Sequence, residues 1–184
     1  MISIDAKEIE KAKSLLKNYP QQVIAAAASA INRTSAMVKT EVSKTIRKNY
    51  LISAKDIKST LSIKRASRLK LTGMISSIGQ APLITAFRVR AYKKGPVRVQ
   101  VMKKNKPKPV LGLFIGSSLK GCVGAMQRKN LSMRYPLRIP HGPSVPQMFS
   151  ADRSMSVIAP FAEKTLNQRF LHEVSYRYGK FGGR

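Results

Sequence analysis

Acidic residues are scarce in this chain. Its 184 residues include 35 lysines and arginines but only 8 aspartates and glutamates, which gives a formal net charge of +27. Between Ile57 and Ala151 there is no acid at all. A catalytic pair of carboxylates would have to come from the two ends of the chain, which disfavours that class of enzyme. Because so charged a body repels itself, we expect an acidic partner: nucleic acid, an anionic membrane or an acidic protein.

Cysteine and histidine are scarcer still. Cys122 is the single cysteine, so no internal disulfide can form, and its glycine-flanked position predicts a small buried thiol. His141 and His172 are the two histidines, and no cysteine or histidine pair has the spacing of metal ligands. The glycines of "GLFIGSSLKG" lack the order of a phosphate-binding loop and predict a strand turn instead. From these absences we expect no enzymatic activity, no metal and no cofactor.

Long apolar runs are also missing. The longest, "VIAAAASAI", has about nine residues, well short of the roughly 20 that a membrane span requires. The opening "MISIDAKEIEKAK" lacks the apolar run of a signal peptide. Hydrophobic residues still make up 43% of the chain, which is enough for a core built on aliphatic side chains, since tryptophan is absent. We therefore expect a soluble, folded protein that is made in the cytoplasm and has no membrane partner.

Helical periodicity fills the first third of the chain and its end. A helix that begins at Asp5 should end before Pro20, and a second helix of about thirty residues, from Pro20 to Asn49, would span roughly 45 Å. The stretch "SAKDIKSTL" predicts a short helix capped by Ser53 and Asp56, and "SVIAPFAEKTLNQRFLHEVSYRYG" returns to helical spacing. The predicted buried residues of the long and C-terminal helices are Val23, Ala27, Ile31, Thr34, Val38, Val42, Ile46, Ile158, Phe161, Ala162, Leu166, Phe170 and Val174.

The middle of the chain changes to a period of two. The stretches "AFRVRAY" and "VRVQVMK", joined by "KKGP", alternate apolar and polar residues and predict a hairpin with one basic, solvated face. Further short strands are predicted at "SIKRAS", "LTGMISSIG", "VLGLFIG" and "CVGAMQRK". In contrast, the two prolines of "KKNKPKP" predict a basic loop without regular structure.

The order of these elements predicts the fold class and the domain organisation. We expect an α+β fold with N-terminal helices that include one long helix, a central, mostly antiparallel β-sheet and a C-terminal helix. Residues 1–178 should form a single domain. A glycine-rich, flexible C-terminal tail should follow at residues 179–184.

The lysines and arginines of the middle region form the candidate contact surface. Basic residues along strands and a loop can follow a phosphate backbone by charge alone. Tyr92 is the one aromatic residue within this hairpin that could stack on a base, so nucleic-acid contact should lack base preference. The same cations could instead form a solvated face or meet an acidic protein. The candidate residues are Arg88, Arg90, Arg98, Lys103, Lys104, Lys106, Lys108, Arg128 and Lys129.

A proline-rich segment, "RIPHGPSVPQMFS", follows the strands and ends in a short apolar patch. A stiff loop of this kind loses little entropy on docking, which favours a contact with a neighbouring subunit. The alternative is that the loop covers the core of its own domain. The candidate interface residues are Pro143, Val145, Pro146, Met148 and Phe149.

Four segments between Ala30 and Phe149 carry a family resemblance: "NRTSAMVKTEVSKTIRKNYLISAKDI", "APLITAF", "MQRKN" and "YPLRIPHGPSVPQMF". Together they resemble the bacteriophage minor tail protein Z group, the tail completion proteins of long-tailed phages, and the last segment is the most specific. Where the group tends to carry an acid, in its "P-L-I-D-F" strand, this chain has Thr85 and Ala86.

The resemblance implies a structural virion protein without enzymatic activity that acts late in tail assembly, in the host cytoplasm. It would sit at the head-proximal end of the tail, beside tube, terminator or neck proteins, and would be needed for productive joining of heads. Because tail tubes are sixfold, a ring of six copies is the natural geometry, and DNA would pass through it. The competing interpretation is a free-standing, basic protein that binds nucleic acid without sequence specificity.

Overall fold

The structure is a computed structural model. It describes residues 20–92, 95–117, 123–130 and 132–181, together with Glu10 and Ser14. Four predicted features therefore lie wholly or partly outside the described residues: the helix beginning at Asp5, the strand turn of "GLFIGSSLKG", the position of Cys122 and the end of the C-terminal tail.

The chain divides into two compact units. The first unit comprises Met1–Val42, Leu61–Ser77 and Ala151–Arg184, and the second comprises Ser43–Thr60 and Ile78–Ser150. The chain passes from one unit to the other four times, so neither unit is a continuous stretch of sequence.

Two long helices dominate the first unit. Helix α1 spans Pro20–Asn49, with its last residues in the second unit, and helix α4 spans Asp152–Phe181; each has 30 residues. The predicted bounds of α1 are confirmed, and Pro20 occupies its first turn, where the missing N–H costs nothing. Helix α4 continues through Gly179, which was predicted to begin the tail, because this glycine does not adopt the positive φ that ends many helices.

The core of the first unit joins small residues on α1 to large residues on α4. Alanine side chains let two helices approach closely, so that bulky partners fill the space between them. The core cluster consists of Ala26, Ala27, Ala30, Leu166, Phe170 and Val174. The predicted stripe of α4 is therefore confirmed in its main members. On α1, Val23 and Ile31 are only partly buried, whereas all of Ala25–Ala28 is buried, so the covered face is wider than the sequence pattern predicts.

An ionic cluster joins the same two helices. The carboxylate of Glu173, whose side chain is 5% exposed, lies 3.0 Å from Arg33 Nη1 and 3.8 Å from Arg177 Nη2. The Arg177 guanidinium also donates hydrogen bonds to three oxygen atoms of α1, those of the Gln22 and Ser29 side chains and the Ala25 carbonyl, at 3.1–3.3 Å. The positive charge of Arg177 is thereby compensated where its side chain is only 17% exposed.

A two-stranded sheet completes the first unit. Strands β1 (Leu61–Lys64) and β2 (Met74–Ser77) pair antiparallel, as predicted. The segment is held to α1 by the Asn32 side chain, which donates a hydrogen bond to the Ala66 carbonyl and accepts one from the Ala66 N–H. A Cβ atom on Gly73 would lie 2.6 Å from the side chain of Ile31, so the close approach to α1 requires glycine.

The second unit holds the remaining short elements. They are helix α2 (Ala54–Thr60), a 3-10 turn (Ile84–Ala86), strands β3 (Arg88–Arg90), β4 (Arg98–Gln100), β5 (Lys108–Pro109), β6 (Leu113–Ser117), β7 (Val123–Arg128) and β8 (Leu137–Arg138), and helix α3 (Val145–Ser150). The predicted cap of α2 is confirmed: the Asp56 N–H donates a hydrogen bond to Ser53 Oγ, and that hydroxyl donates to the Asp56 carboxylate.

Every strand pair in the described residues is antiparallel, and the α+β class is confirmed. The strands do not form one central sheet, however; they divide into the pair β1–β2 and two three-stranded sheets, β3–β4–β5 and β6–β7–β8. Strands of two to six residues offer each sheet only a short edge.

The prediction that "KKNKPKP" lacks regular structure is wrong. The segment "KKNKPKP" contains strand β5, whose Lys108 and Pro109 pair with Val99 and Arg98 of β4. Because β5 lies at the edge of its sheet, the missing N–H of Pro109 interrupts no second ladder.

We expect residues 1–178 to unfold as the single domain that the sequence predicts, because each unit needs chain segments separated by the other. Calorimetry should show one transition, with a ratio of calorimetric to van't Hoff enthalpy of about 1. Two resolved transitions would instead assign the two units to independent domains.

Replacing Glu173 with glutamine should lower the free energy of unfolding by about 3 kcal/mol, since Arg177 would lose its counter-charge. The matched control is Glu163→Gln, an exposed position on the same helix, which should change stability by less than about 0.5 kcal/mol. Urea unfolding of the two variants provides the measurement. Equal effects would show that the ionic cluster contributes nothing specific.

Candidate cationic surface

Three arginines lie on one face of the β3–β4 hairpin. Arg90 pairs with Arg98 and Arg88 pairs with Gln100, and residues paired across an antiparallel ladder project to the same side. All three guanidinium side chains are exposed, whereas Val99, on the opposite face, is buried. We call Arg88, Arg90 and Arg98 the arginine face. It confirms the predicted hairpin with one basic, solvated side.

The arginine face is stabilised against its own repulsion by neighbouring groups. The like charges of Arg90 and Arg98 stand directly opposite each other, which is unfavourable. The guanidinium of Arg98 lies 5.5 Å from the centroid of the Tyr92 ring, in a cation–π contact that partly offsets this repulsion. Arg98 therefore covers one face of the ring of Tyr92, the predicted stacking residue, which remains 48% exposed.

A turn after β4 presents the next cations. The Gln100 side chain donates hydrogen bonds to the carbonyl oxygens of Lys103 and Asn105, at 3.3 and 2.8 Å, and so fixes this turn. Lys103, Lys104 and, just beyond, Lys106 are exposed there. Because Gln100 pairs with Arg88, it links this lysine turn (Lys103, Lys104 and Lys106) to the arginine face.

The other predicted cations lie elsewhere in the second unit. Lys108 pairs with Val99 and therefore projects from the side of the sheet opposite the arginine face. Arg128 ends β7 in a different sheet, and Lys129 follows it; both are exposed. The separation of these three cations from the arginine face depends on strand register and sheet membership, so their proximity in sequence could not reveal it.

A cleft at the end of α1 adds a cation that sequence reasoning missed. Its volume is about 310 Å³, and it is lined by Arg47, Tyr50, Leu51, Ile52, Ser53, Ala86, Arg88 and Lys103. The available signal was the position of Arg47 in the last turn of α1, where the helix dipole favours a positive charge. What sequence could not supply was the backbone pairing that brings α1 and the lysine turn together: the Lys103 N–H donates to the Asn49 carbonyl at 2.9 Å.

A second cleft, of about 450 Å³, contains the positions at which this chain departs from the resembled group. Thr85 and Ala86 line it together with Asp56, the one carboxylate among its lining residues. The Asp56 carboxylate is already bonded to the Ser53 hydroxyl in the cap of α2. The cleft therefore offers no carboxylate that is free of the helix cap.

The prediction of a loop is wrong for part of the proline-rich segment, because Val145–Ser150 form helix α3. Helix α3 begins after Ser144, whose hydroxyl accepts a hydrogen bond from the Gln147 N–H while the Gln147 side chain accepts one from the Ser144 N–H. This reciprocal pair is a capping box, and its signature, Ser-x-x-Gln, is visible in the sequence. Just before α3, the backbone at Gly142 lies against the ring of Phe87. A Cβ atom at this position would collide with that ring, so the contact requires glycine.

The five residues proposed as an interface divide by burial. Val145 and Met148 are buried within the chain, at 2% and 1% exposure. Pro143, Pro146 and Phe149 are half-buried. Any contact with a neighbouring subunit would thus use the second group, whereas the first group packs within the chain itself.

Other kinds of site are not formed by the described residues. No three histidine, cysteine, aspartate or glutamate side chains among them come close enough to hold a metal ion. In the same ranges, no helix combines the length and apolar character needed to cross a bilayer. His141 and His172 are both exposed.

Comparison with known proteins identifies one relationship. The family model described as prophage minor tail protein Z (GPZ) matches residues 6–178, which is nearly the whole chain. No curated protein and no solved structure matches the chain.

Alanine substitutions at Met148 and Phe149 should separate the two roles of the proline-rich segment. Met148→Ala removes a buried side chain and should cost about 2–5 kcal/mol of stability. Phe149→Ala should cost less and should weaken self-association, if this side chain contacts a neighbour. Thermal melts and sedimentation measure both effects. A Phe149→Ala variant that associates normally would show that the segment only covers the core of its own domain.

Proposed function

Because the chain belongs to the prophage minor tail protein Z family, and is therefore a structural protein of the phage tail, we propose that it acts as a tail completion protein. It forms a ring of six copies at the head-proximal end of the tail, against tube, terminator or neck proteins. There it makes the tail competent to join a head, and DNA passes through the ring. Its working location is the virion, after assembly in the host cytoplasm.

The observation that carries this proposal is the uneven distribution of charge. The second unit contains nineteen lysines and arginines and a single acid, Asp56, so it holds about two thirds of the net charge of +27. Within the described part of the chain, no carboxylate pairs with the arginine face or the lysine turn. Identical subunits with such a surface repel one another, so a stable assembly requires acidic surroundings. Packaged DNA and acidic tail proteins both meet this requirement.

Ring geometry places a further demand on the subunit. A closed ring uses a heterologous contact, in which two different surfaces of each copy meet those of its neighbours. The half-buried group of Pro143, Pro146 and Phe149 supplies a rigid apolar surface for one side of this contact, because two of its members are prolines and α3 is capped. The arginine face then remains available to line the passage.

The alternative function is a free-standing protein that binds nucleic acid without sequence preference. The exposed arginine face favours it, and the contact of Tyr92 with Arg98 fits binding through phosphates rather than through stacked bases. The two functions differ in their requirements: a DNA binder binds duplex alone with a steep negative salt dependence, whereas a tail component shows fixed stoichiometry on tails without DNA.

Tails assembled without this protein should fail to join filled heads, and the purified chain should restore joining with about six copies on each tail. The triple variant Arg90→Gln, Arg98→Gln, Lys104→Gln, which leaves every cation of the cleft at the end of α1 in place, should fold and bind tails, yet lower the yield of infectious particles about tenfold or more. Its effect follows from the loss of positive potential along the passage. In vitro complementation measures the yield, and native mass spectrometry measures the copy number.

The matched control removes three exposed cations from the first unit, Arg65, Arg68 and Lys70, and should leave the yield near the wild-type value. Full joining by tails that lack the protein would overturn the proposed function. Equal yields from the two triple variants would leave the proposed role in the tail standing but would show that the arginine face does not contribute to it.

A further inference from the structure

The cleft at the end of α1 gathers three cations from three separate elements. Arg47 lies in the last turn of α1, Arg88 begins β3, and Lys103 lies in the turn after β4. We propose that this cleft binds a carboxylate side chain on an acidic peptide segment of a neighbouring tail protein. The inference rests on the proposed function, since it names the chemistry of one partner of the assembled tail.

The cleft is built to receive an anion. None of its lining residues is an acid, and within the described ranges no carboxylate pairs with Arg47, Arg88 or Lys103. Three cationic residues that line one cleft without a counter-charge repel one another, and a bound carboxylate relieves this repulsion. A guanidinium also presents a planar pair of N–H groups that matches a carboxylate bidentately, and the cleft contains two of them.

The backbone holds these cations in place before any ligand arrives. The Lys103 N–H donates to the Asn49 carbonyl and the Leu51 N–H donates to the Val101 carbonyl, each at 2.9 Å. Two bonds in opposite directions fix the end of α1 against the strand that leads to the lysine turn. Binding therefore pays little to order the main chain around the site.

The walls of the cleft favour a peptide over a nucleic acid. Leu51, Ile52 and Ala86 contribute apolar surface between the charged groups, and an aliphatic side chain beside a glutamate could bury against them. A volume of about 310 Å³ is at the lower end of the range for ligand pockets and suits one or two side chains. Tyr50, its one aromatic residue, is 8% exposed and offers no face on which a base could stack.

The site is also distinct from the open arginine face, although the two share Arg88. A phosphate backbone is followed by cations spread along an exposed surface, as on β3 and β4. The cleft instead combines charge with shape, which is the means by which proteins select a particular partner. Protein docking at the cleft and passage of DNA along the face can therefore occur in the same particle.

The test uses the full chain and two labelled peptides, acetyl-Gly-Leu-Glu-Glu-Leu-Gly-amide and the same peptide with glutamine at both glutamate positions. At low salt, fluorescence anisotropy should show that the glutamate peptide binds about tenfold or more tightly than the glutamine peptide. Arg47→Gln and Lys103→Gln should each weaken binding of the glutamate peptide about fivefold or more. Both residues are exposed, so the variants should melt as the wild type does.

The matched control is Lys48→Gln, an exposed cation adjacent to Arg47 that does not line the cleft, and it should leave peptide affinity unchanged. Equal affinity for the two peptides, or equal loss in Lys48→Gln, would overturn the proposal. So would a short DNA duplex that displaces the glutamate peptide in wild type and loses affinity itself in Arg47→Gln, since the cleft would then be a phosphate site. Peptide binding does not require a ring, so failure of tail joining with intact, cleft-dependent peptide binding would reject the proposed function alone.

Discussion

The close approach of α1 to α4, permitted by alanine side chains on α1, is the contact on which the first unit depends. Leu166, Phe170 and Val174 fill the space that the alanines leave, and full burial of each contributes about 1.5–3 kcal/mol. The same approach brings the Glu173 carboxylate within reach of Arg33 on α1. A larger residue in place of Ala26 or Ala30 would separate the helices and disturb the apolar and the ionic contacts together.

The two units differ in whether the positive charges of their arginines are compensated by nearby groups. In the first unit, Arg177 is compensated by Glu173 and by oxygen atoms of α1. In the second unit, the arginine face is accompanied by Tyr92 and Gln100, which position the cations without neutralising them. An uncompensated cationic surface destabilises an isolated subunit and favours association with acidic groups.

Local sequence signals predicted most elements of this fold. Pro20 and helical spacing gave the bounds of α1, and alternation gave the β3–β4 hairpin. Features that depend on pairing between distant residues were not predictable in the same way. The strand at Lys108 and Pro109 tolerates its proline because it lies at a sheet edge, and the separation of the strands into three sheets depends on long-range register. Arg47 lines the candidate cleft because the Lys103 N–H donates a hydrogen bond to the Asn49 carbonyl at the end of α1, a pairing that the sequence does not reveal. The capping box at Ser144 was local and could have been recognised.

The interleaved order of the two units has a consequence for synthesis on the ribosome. Nearly all of the second unit's sequence has emerged before α4 is translated, whereas the first unit needs residues of α4 for half of its core. A nascent chain that stops before α4 carries the cationic surface but leaves the alanine face of α1 without its partner. Such a truncated product would leave that apolar face exposed, so the first unit can complete its core only after α4 has been synthesised.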